Sequence, residues 1–286
     1  WSVIWPGTPI EQIPTASRNH NTYLDANPSS RHTRDGVEYL PVLDQFFSNG
    51  GSVWKNGGND RSTWVFDFAT GKWIRKAYPP DTQYTNVYSA YDPDTGNMYV
   101  IRPQATDKSG TLVYKYDPFH NTWQRLNKSA YYGHRRTAAY DPNTKKLLLG
   151  GMGQVIVWDM NQPSSPGVTA HSGLTGVLAR PGWGIEYDHY IDRFVVWAQG
   201  PSIFYIHPVT LEIVEHELPA DSPGAPDTKG GGNTGPHGRF RLDSSSGCYV
   251  VVNSVNDDVY LFRPPLGDRT AAQSPGKLKT QSLQRK

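Results

Sequence analysis

Three histidines and four arginines of this 286-residue chain recur at similar places in a repeated pattern, where they could act together. His32, His134 and His237 lie in the segments PSSRHTRDG, YGHRRTA and GPHGRFR, seven, six and five residues ahead of equivalent points, and Arg31, Arg136, Arg239 and Arg241 accompany them. Arginine presents a planar pair of donors that fits a carboxylate, while histidine is a neutral donor or a proton carrier near neutral pH. Such a set suits anionic or hydroxyl-rich ligands. Tyr88 and Trp183 stand in the corresponding segments YTNVYSA and ARPGWG, and Tyr131 and Tyr132 add aromatic surface on which sugar rings stack. For abstraction of the proton beside a uronate carboxylate, His134 is the candidate base, with Arg136 and Arg239 as carboxylate clamps. The competing role for all of these residues is to cap strand ends and bond neighbouring backbone. Metal binding is the less favoured reading: no HxH or HxxxH pair is present, which leaves only the trio His32, His134 and His237. No cofactor is expected.

Other chemical signatures are missing or bland. The chain has no GxSxG nucleophile elbow, no GxxxxGK[ST] phosphate loop and no CxxC pair. Asp92, Asp141 and Asp188 fill equivalent turn positions, so no pair of acids for glycoside hydrolysis stands out. Gly230, Gly231 and Gly232 read as a loop. Asn127-Lys128-Ser129 fits the N-glycosylation acceptor pattern and is read as chance. With Cys248 as the single cysteine, an intramolecular disulfide is impossible. Cys248 is expected as a small buried hydrophobe in the strand CYVVVNSV.

These residues must be positioned by many short strands. Twenty-eight glycines, 23 prolines and 12% aromatic residues against 36% apolar suit strands separated by tight turns, and no stretch reads as a long amphipathic helix. Aligning GVEYLPVLDQFFSNGGS, YSAYDPDTGNMYVI, TAAYDPNTKKLLLGG, GIEYDHYIDRFVVWAQG and RFRLDSSSGCYVVVNS places Tyr39, Tyr91, Tyr140, Tyr187 and Leu242 in register. The steps are 91−39 = 52, 140−91 = 49, 187−140 = 47 and 242−187 = 55. Each segment reads as a hairpin, because Asp bonds its neighbouring backbone and Pro presets φ in the turn. Further alternating runs, such as STWVFDFATGKWIRK and TLVYKYDPFHNTWQRL, supply the remaining strands of each unit. Trp73 and Trp123 each follow an aspartate, Asp67 or Asp117, by six residues and suit the contact between neighbouring units.

On these motifs the chain resembles the kelch-repeat and galactose oxidase-like β-propellers. Asn49-Gly50-Gly51 and Gly150-Gly151 fall where kelch repeats place paired glycines, and Trp73 and Trp123 where they place a tryptophan. The resemblance spans residues 31 to 263 and implies an all-β fold of five visible four-stranded blades, about 50 residues each. The repeats begin near 31, 84, 132, 181 and 237, within a propeller domain covering 1–263. Residues 1–30 read as an outer strand and lead-in, with Trp1 to Trp5 completing the last blade. If the chain is an N-terminally truncated fragment, the whole would have six or seven blades. Residues 219 to 236 read as a long inter-blade loop, and 264–286 as a disordered polar tail. Galactose oxidases join a cysteine to a tyrosine beside copper. Cys248 and Tyr249 are neighbours in one strand and should face opposite ways, which does not match that arrangement.

A net charge of +2, with Lys277, Lys279, Arg285 and Lys286 clustered at the end, builds no basic stripe for nucleic acid. No apolar run reaches the roughly 20 residues that cross a bilayer. The expectation is therefore a monomeric binding module, secreted or periplasmic, that recognises a glycan or protein partner at the channel-mouth face. The alternative is a carbohydrate-active enzyme, a uronate-polysaccharide lyase in preference to a copper oxidase.

Overall fold

Alternating apolar and polar side chains fold each aligned segment into a hairpin, and adjoining strands widen each hairpin into a twisted sheet. The computed structural model describes residues 7–13, 22–23, 25–53, 58–80, 86–104, 108, 110–218, 235–252 and 258–264. Two short strands come first, β1 (Arg31–His32) and β2 (Arg34–Asp35). Blade 1 is β3 (Val37–Leu40), β4 (Gln45–Val53), β5 (Asn59–Asp67) and β6 (Lys72–Lys76). Blade 2 is β7 (Val87–Tyr91), β8 (Met98–Pro103), β9 (Thr111–Asp117) and β10 (Thr122–Ser129). Blade 3 is β11 (Thr137–Asp141), β12 (Lys146–Gly151), β13 (Gln154–Asp159) and β14 (Val168–His171). Blade 4 is β15 (Gly184–Asp188), β16 (Arg193–Trp197), β17 (Ser202–Ile206) and β18 (Ile213–Glu217). Blade 5 shows three described strands, β19 (Phe240–Asp243), β20 (Cys248–Val252) and β21 (Val259–Phe262).

Within each blade the strands meander antiparallel, and the innermost strands of successive blades pack side by side. The molecule is thus an all-β, five-bladed propeller. The aligned aromatics keep one register: Tyr39 faces Phe46, Tyr91 faces Met98, Tyr140 faces Leu147, Tyr187 faces Phe194 and Leu242 faces Tyr249. At the hairpin ends the aspartates hold the turns. Asp92 accepts from the Thr95 hydroxyl at 2.7 Å, Asp141 from the Asn143 N–H at 2.8 Å and Asp188 from the Tyr190 N–H at 2.9 Å.

Buried apolar side chains form four clusters, and each spans one junction between blades. Phe47 and Val65 meet Val87 and Tyr114; Tyr88 and Ile101 meet Tyr140 and Leu149; Leu148 and Val155 meet Trp183 and Phe194; Val195 and Tyr205 meet Phe240 and Tyr249. Trp123 joins the first cluster, stacks obliquely on Tyr116 at 4.7 Å and donates to the Ala77 carbonyl at the exit of blade 1. Trp73 packs edge-on against Phe46 and Phe66 of its own blade. The paired glycines allow close approach: a Cβ on Gly50 would stand 2.6 Å from Val87, and one on Gly151 3.1 Å from the Arg135 carbonyl oxygen.

The entry to blade 1, expected as loop, is strand instead. β1 pairs antiparallel with β4, His32 opposite Ser52, and β2 pairs parallel with β7, Arg34 opposite Val87. The entry segment therefore stitches blade 1 to blade 2 and brings β2 into the hub. Residues Trp1 to Trp5, most of the 219 to 236 loop and nearly all of the 264–286 tail lie outside the described residues. Among the described residues no helix is long and apolar enough to cross a membrane.

Candidate functional site

One position of the repeat builds the channel mouth. Arg34, Arg135 and His237 each stand five residues before the aligned point (39−34, 140−135 and 242−237), and Gly182 holds the same place in blade 4. All four adopt left-handed backbone, with φ of 61°, 61°, 46° and 64°. For residues other than glycine this conformation is costly and is held only by its surroundings. Here the holding contacts run from blade to blade: Gly182 N–H donates to the Arg135 carbonyl at 2.7 Å, and His237 N–H donates to the Gly182 carbonyl at 3.1 Å.

Among the described residues the charge at this mouth is positive, with no carboxylate paired to it. Arg34 and Arg135 repel each other, and among the described residues neither side chain makes an ion pair with a carboxylate. His134 is pulled below its ordinary pKa by burial, then by Arg34, Arg135 and Lys108. His237 is driven down to about 3 by burial, with Arg34, Arg239 and Arg135 adding to the effect. Among the described residues no carboxylate opposes these influences on either ring. Both imidazoles are therefore neutral at physiological pH, and their proton positions follow from their partners. Asn86 Nδ2 donates to His134 Nδ1 at 2.8 Å, so the His134 proton sits on Nε2 and reaches Tyr131 Oη at 2.9 Å. The Tyr131 hydroxyl hydrogen is left to be donated onward.

Deeper in the hub the sign changes. Arg241, on the inner strand of blade 5, donates to Glu186 of blade 4 at 2.8 Å, to Glu38 of blade 1 at 3.1 Å, and to Asp35 of β2 at 3.4 Å. It also donates to the Val37 carbonyl at 3.1 Å and, through Nε, to the Gly238 carbonyl at 3.1 Å. Asp35 is fully buried and accepts from the Ala138 N–H at 2.8 Å, which ties blade 3 to the same cluster. Burial pushes the Asp35 and Glu38 carboxyls up and Glu186 to about 7, against the pull of Arg241. Arg241 is held charged by its three acidic neighbours.

The residues singled out from sequence divide accordingly. His134 and His237 do reach the mouth. His32 is exposed in β1, and among the described residues no three His, Cys, Asp or Glu side chains are grouped to hold a metal, the trio His32, His134 and His237 included. Arg31 is locked to Asp60 and the Ser62 hydroxyl. Arg136, expected as a clamp, is buried and spends its donors on the Tyr132 and Gly151 carbonyls and on Gln154. Arg239 donates to the Gly235 carbonyl at 2.7 Å and the Pro236 carbonyl at 3.3 Å. Trp183 is fully buried over Gly150 and offers no stacking face, and Tyr88 is fully buried with its hydroxyl 3.4 Å from the Gly133 carbonyl. Cys248 contacts Arg263 at 3.2 Å, whereas Tyr249 stacks on Phe240 and donates to Asp188 at 2.9 Å. Asn127 is buried and donates to the Pro163 carbonyl. Sequence reasoning passed over Arg34 and Arg135. Counting back five residues from each aligned point, rather than to the nearest histidine, finds them.

The fold is a five-bladed β-propeller in which Arg34, Arg135, His134 and His237 gather near the entries to the inner strands. No protein-family model and no curated protein matches the chain. Among solved structures it is similar to one described as "Structure of YjhT", at 15% identity and TM-score 0.48, covering 70% of this chain and 70% of that one. It is also similar to one described as "Crystal structure of Nidogen/Laminin Complex", at 12% identity and TM-score 0.46, covering 64% of this chain and 62% of that one.

Proposed function

We propose that this chain is a kelch-like binding module that takes a carboxylate-bearing glycan at its channel mouth. The observation that carries this reading is the set of cations at the mouth: Arg34 and Arg135 act on both imidazoles and Lys108 on His134, and among the described residues no carboxylate balances them. A ligand carboxylate supplies the missing counter-charge, and an arginine holds it with two parallel bonds. Tyr131, beside the mouth, offers a hydroxyl donor and part of a ring face. The paired glycines and the tryptophans Trp73 and Trp123 support the kelch-like assignment.

The test is calorimetric titration with an oligogalacturonate and with the same oligosaccharide reduced to its neutral form, at low salt. The acidic ligand is expected to bind and the neutral one to bind weakly. Arg34→Met and Arg135→Met are each expected to weaken the acidic ligand about tenfold or more, as loss of a charge-assisted hydrogen bond does. Failure of the wild type to prefer the acidic ligand ends this reading.

The His134–Tyr131 contact favours a second reading, uronate lyase chemistry. In it the His134 Nδ1 lone pair, released by Asn86, takes the proton α to the carboxylate, the Tyr131 hydroxyl gives its proton to the departing glycosidic oxygen, and His134 Nε2–H reprotonates Tyr131. Arg34 and Arg135 take the clamp role that Arg136 and Arg239 are too committed to fill. If a uronate polymer yields unsaturated products with the wild type and none with folded His134→Ala, the enzyme reading stands; if the wild type yields none, it falls.

A further inference from the structure

Among the described residues blade 5 ends one strand short of its neighbours, and the strand it ends on is not built to be an edge. Blades 1 to 4 each close with a fourth strand, and three of these carry charge: Lys72, Arg75 and Lys76 in β6, Arg125 and Lys128 in β10, Glu215 and Glu217 in β18. Charge along an outer strand discourages stray pairing. The outermost described strand of blade 5, β21, reads Val-Tyr-Leu-Phe and carries none. It matches the third strands instead, such as β17, Ser-Ile-Phe-Tyr-Ile, which is buried throughout. In β21, by contrast, Val259 is 53% exposed and Leu261 71%. The exposure falls on one side of the sheet. Val252 pairs with Val259 and Val250 with Leu261, so these four share a side, while Tyr249, Val251 and Phe262 belong to the cluster with blade 4. Blade 1 has a corresponding apolar side: Tyr39, Phe46, Phe66 and Trp73 are cross-strand neighbours on the side opposite Phe47 and Val65, which pack on blade 2. The two sides flank the junction of blade 5 with blade 1, where no apolar cluster forms among the described residues.

We infer that the outer edge of β21 is the docking site of Trp1–Trp5, which adds as the fourth strand of blade 5, antiparallel to β21, with Trp1, Val3 and Trp5 on the side of Val259 and Leu261. The segment Trp-Ser-Val-Ile-Trp has the five-residue length of β6 and β18, and its alternation puts three apolar side chains on one side. Chain order agrees. In blades 1 to 4 the fourth strand runs towards the mouth and leads to the inner strand of the next blade, and Trp1–Trp5 stands in that position ahead of blade 1. The lead-in that follows it is held at the blade 1 entry, where the Tyr23 hydroxyl accepts from the Ser30 N–H at 2.9 Å beside β1. Docked there, the strand satisfies the open edge of β21, and its two indoles fill the space between the apolar sides of blades 5 and 1.

Residue-resolved amide exchange of the whole chain tests the docking. In an edge strand alternate N–H groups face solvent, whereas a strand paired on both sides leaves none free. All four amides of Val259–Phe262 are expected to exchange slowly in the wild type. Removing residues 1–5 should speed alternate ones by at least about a hundredfold while β17 keeps its protection. Val3→Lys should have the same effect, and Ser2→Lys, on the other side of the strand, should not. A nitroxide on Ser2→Cys in the Cys248→Ser chain decides the matter even if the shortened chain fails to fold. It should broaden the signals of Val259–Phe262, and the broadening should persist when the isotope-labelled, spin-labelled chain is diluted into unlabelled chain. Fast alternate amides in the wild type, exchange unchanged by removal of residues 1–5, or no broadening overturns the assignment. Broadening lost on dilution overturns it as well, because the strand would then come from a second copy.

Discussion

Arg241→Met is expected to lower the stability of the folded chain by about 3–5 kcal/mol at pH 7.5, the size of effect seen when one partner of a buried ionic cluster is removed. For a chain of this length that corresponds to a melting point lower by roughly 6–20 °C. The methionine keeps much of the stem but leaves Asp35, Glu38 and Glu186 facing one another without their common cation. The position matters because four blade junctions contain apolar clusters, whereas the junction of blade 5 with blade 1 is made, among the described hub residues, by Arg241 on Glu38 and the Val37 carbonyl. Removing the guanidinium therefore weakens ring closure itself. The loss has a pH signature. All three carboxyls already have folded pKa values above their unfolded ones, Glu186 at about 7 against an ordinary 4.5. A raised acid binds more protons folded than unfolded, so its stability contribution is full below about pH 4.5 and is lost as pH rises through the folded value. Without Arg241 the folded values rise further, and the gap between variant and wild type should be wide at pH 7.5 and narrow at pH 5. Denaturant midpoints at the two pH values measure it; an equal loss at both contradicts the electrostatic role.

Gly150→Ala is the second large effect, and it acts through packing. A Cβ there would stand 2.4 Å from Ile185 Cδ1 and 2.7 Å from the Trp183 ring, both deep in the junction of blades 3 and 4. Neither neighbour has room to retreat. Gly150 is not among the left-handed glycines, so the added methyl rather than backbone strain sets the cost, about 1–3 kcal/mol for an overpacked core. Shortening the nearest contact with Ile185→Val in the same chain should restore part of the loss, because the two sites share one space. Thermal melts of the two single variants and the double variant would show this coupling. Simple additivity would mean that the methyl is accommodated elsewhere.

Those two residues also show what the letters conveyed. The step between Tyr39, Tyr91, Tyr140, Tyr187 and Leu242 was legible because a hairpin repeats both its apolar alternation and its turn chemistry, and five blades followed from it. Strand β2 left no such trace, since two residues carry no period, and its parallel pairing with β7 depends on where blade 2 lies. The mouth was half legible for a related reason. Arg135 and Arg136 are adjacent, yet the left-handed turn at Arg135 sends one guanidinium to the mouth and the other inward to Gly151 and Gln154. A one-residue step decides which way a side chain faces. His32, His134 and His237 stand at three different offsets from the aligned point, and only His237 shares the left-handed position with Arg34 and Arg135. Trp183 reads as an exposed aromatic in the loop ARPGWG until Gly150 from another blade is seen beneath it.

The most direct test of an uncompensated basic mouth is a histidine NMR titration of the wild-type chain with and without oligogalacturonate. In the free protein His134 should titrate below 6.5 and His237 near 3, held down by burial and by the arginines. Bound carboxylate should raise the His134 value, because it cancels part of the charge that opposes protonation. Both rings titrating at or above 6.5, and unmoved by the acidic ligand, would contradict a mouth whose positive charge awaits a partner.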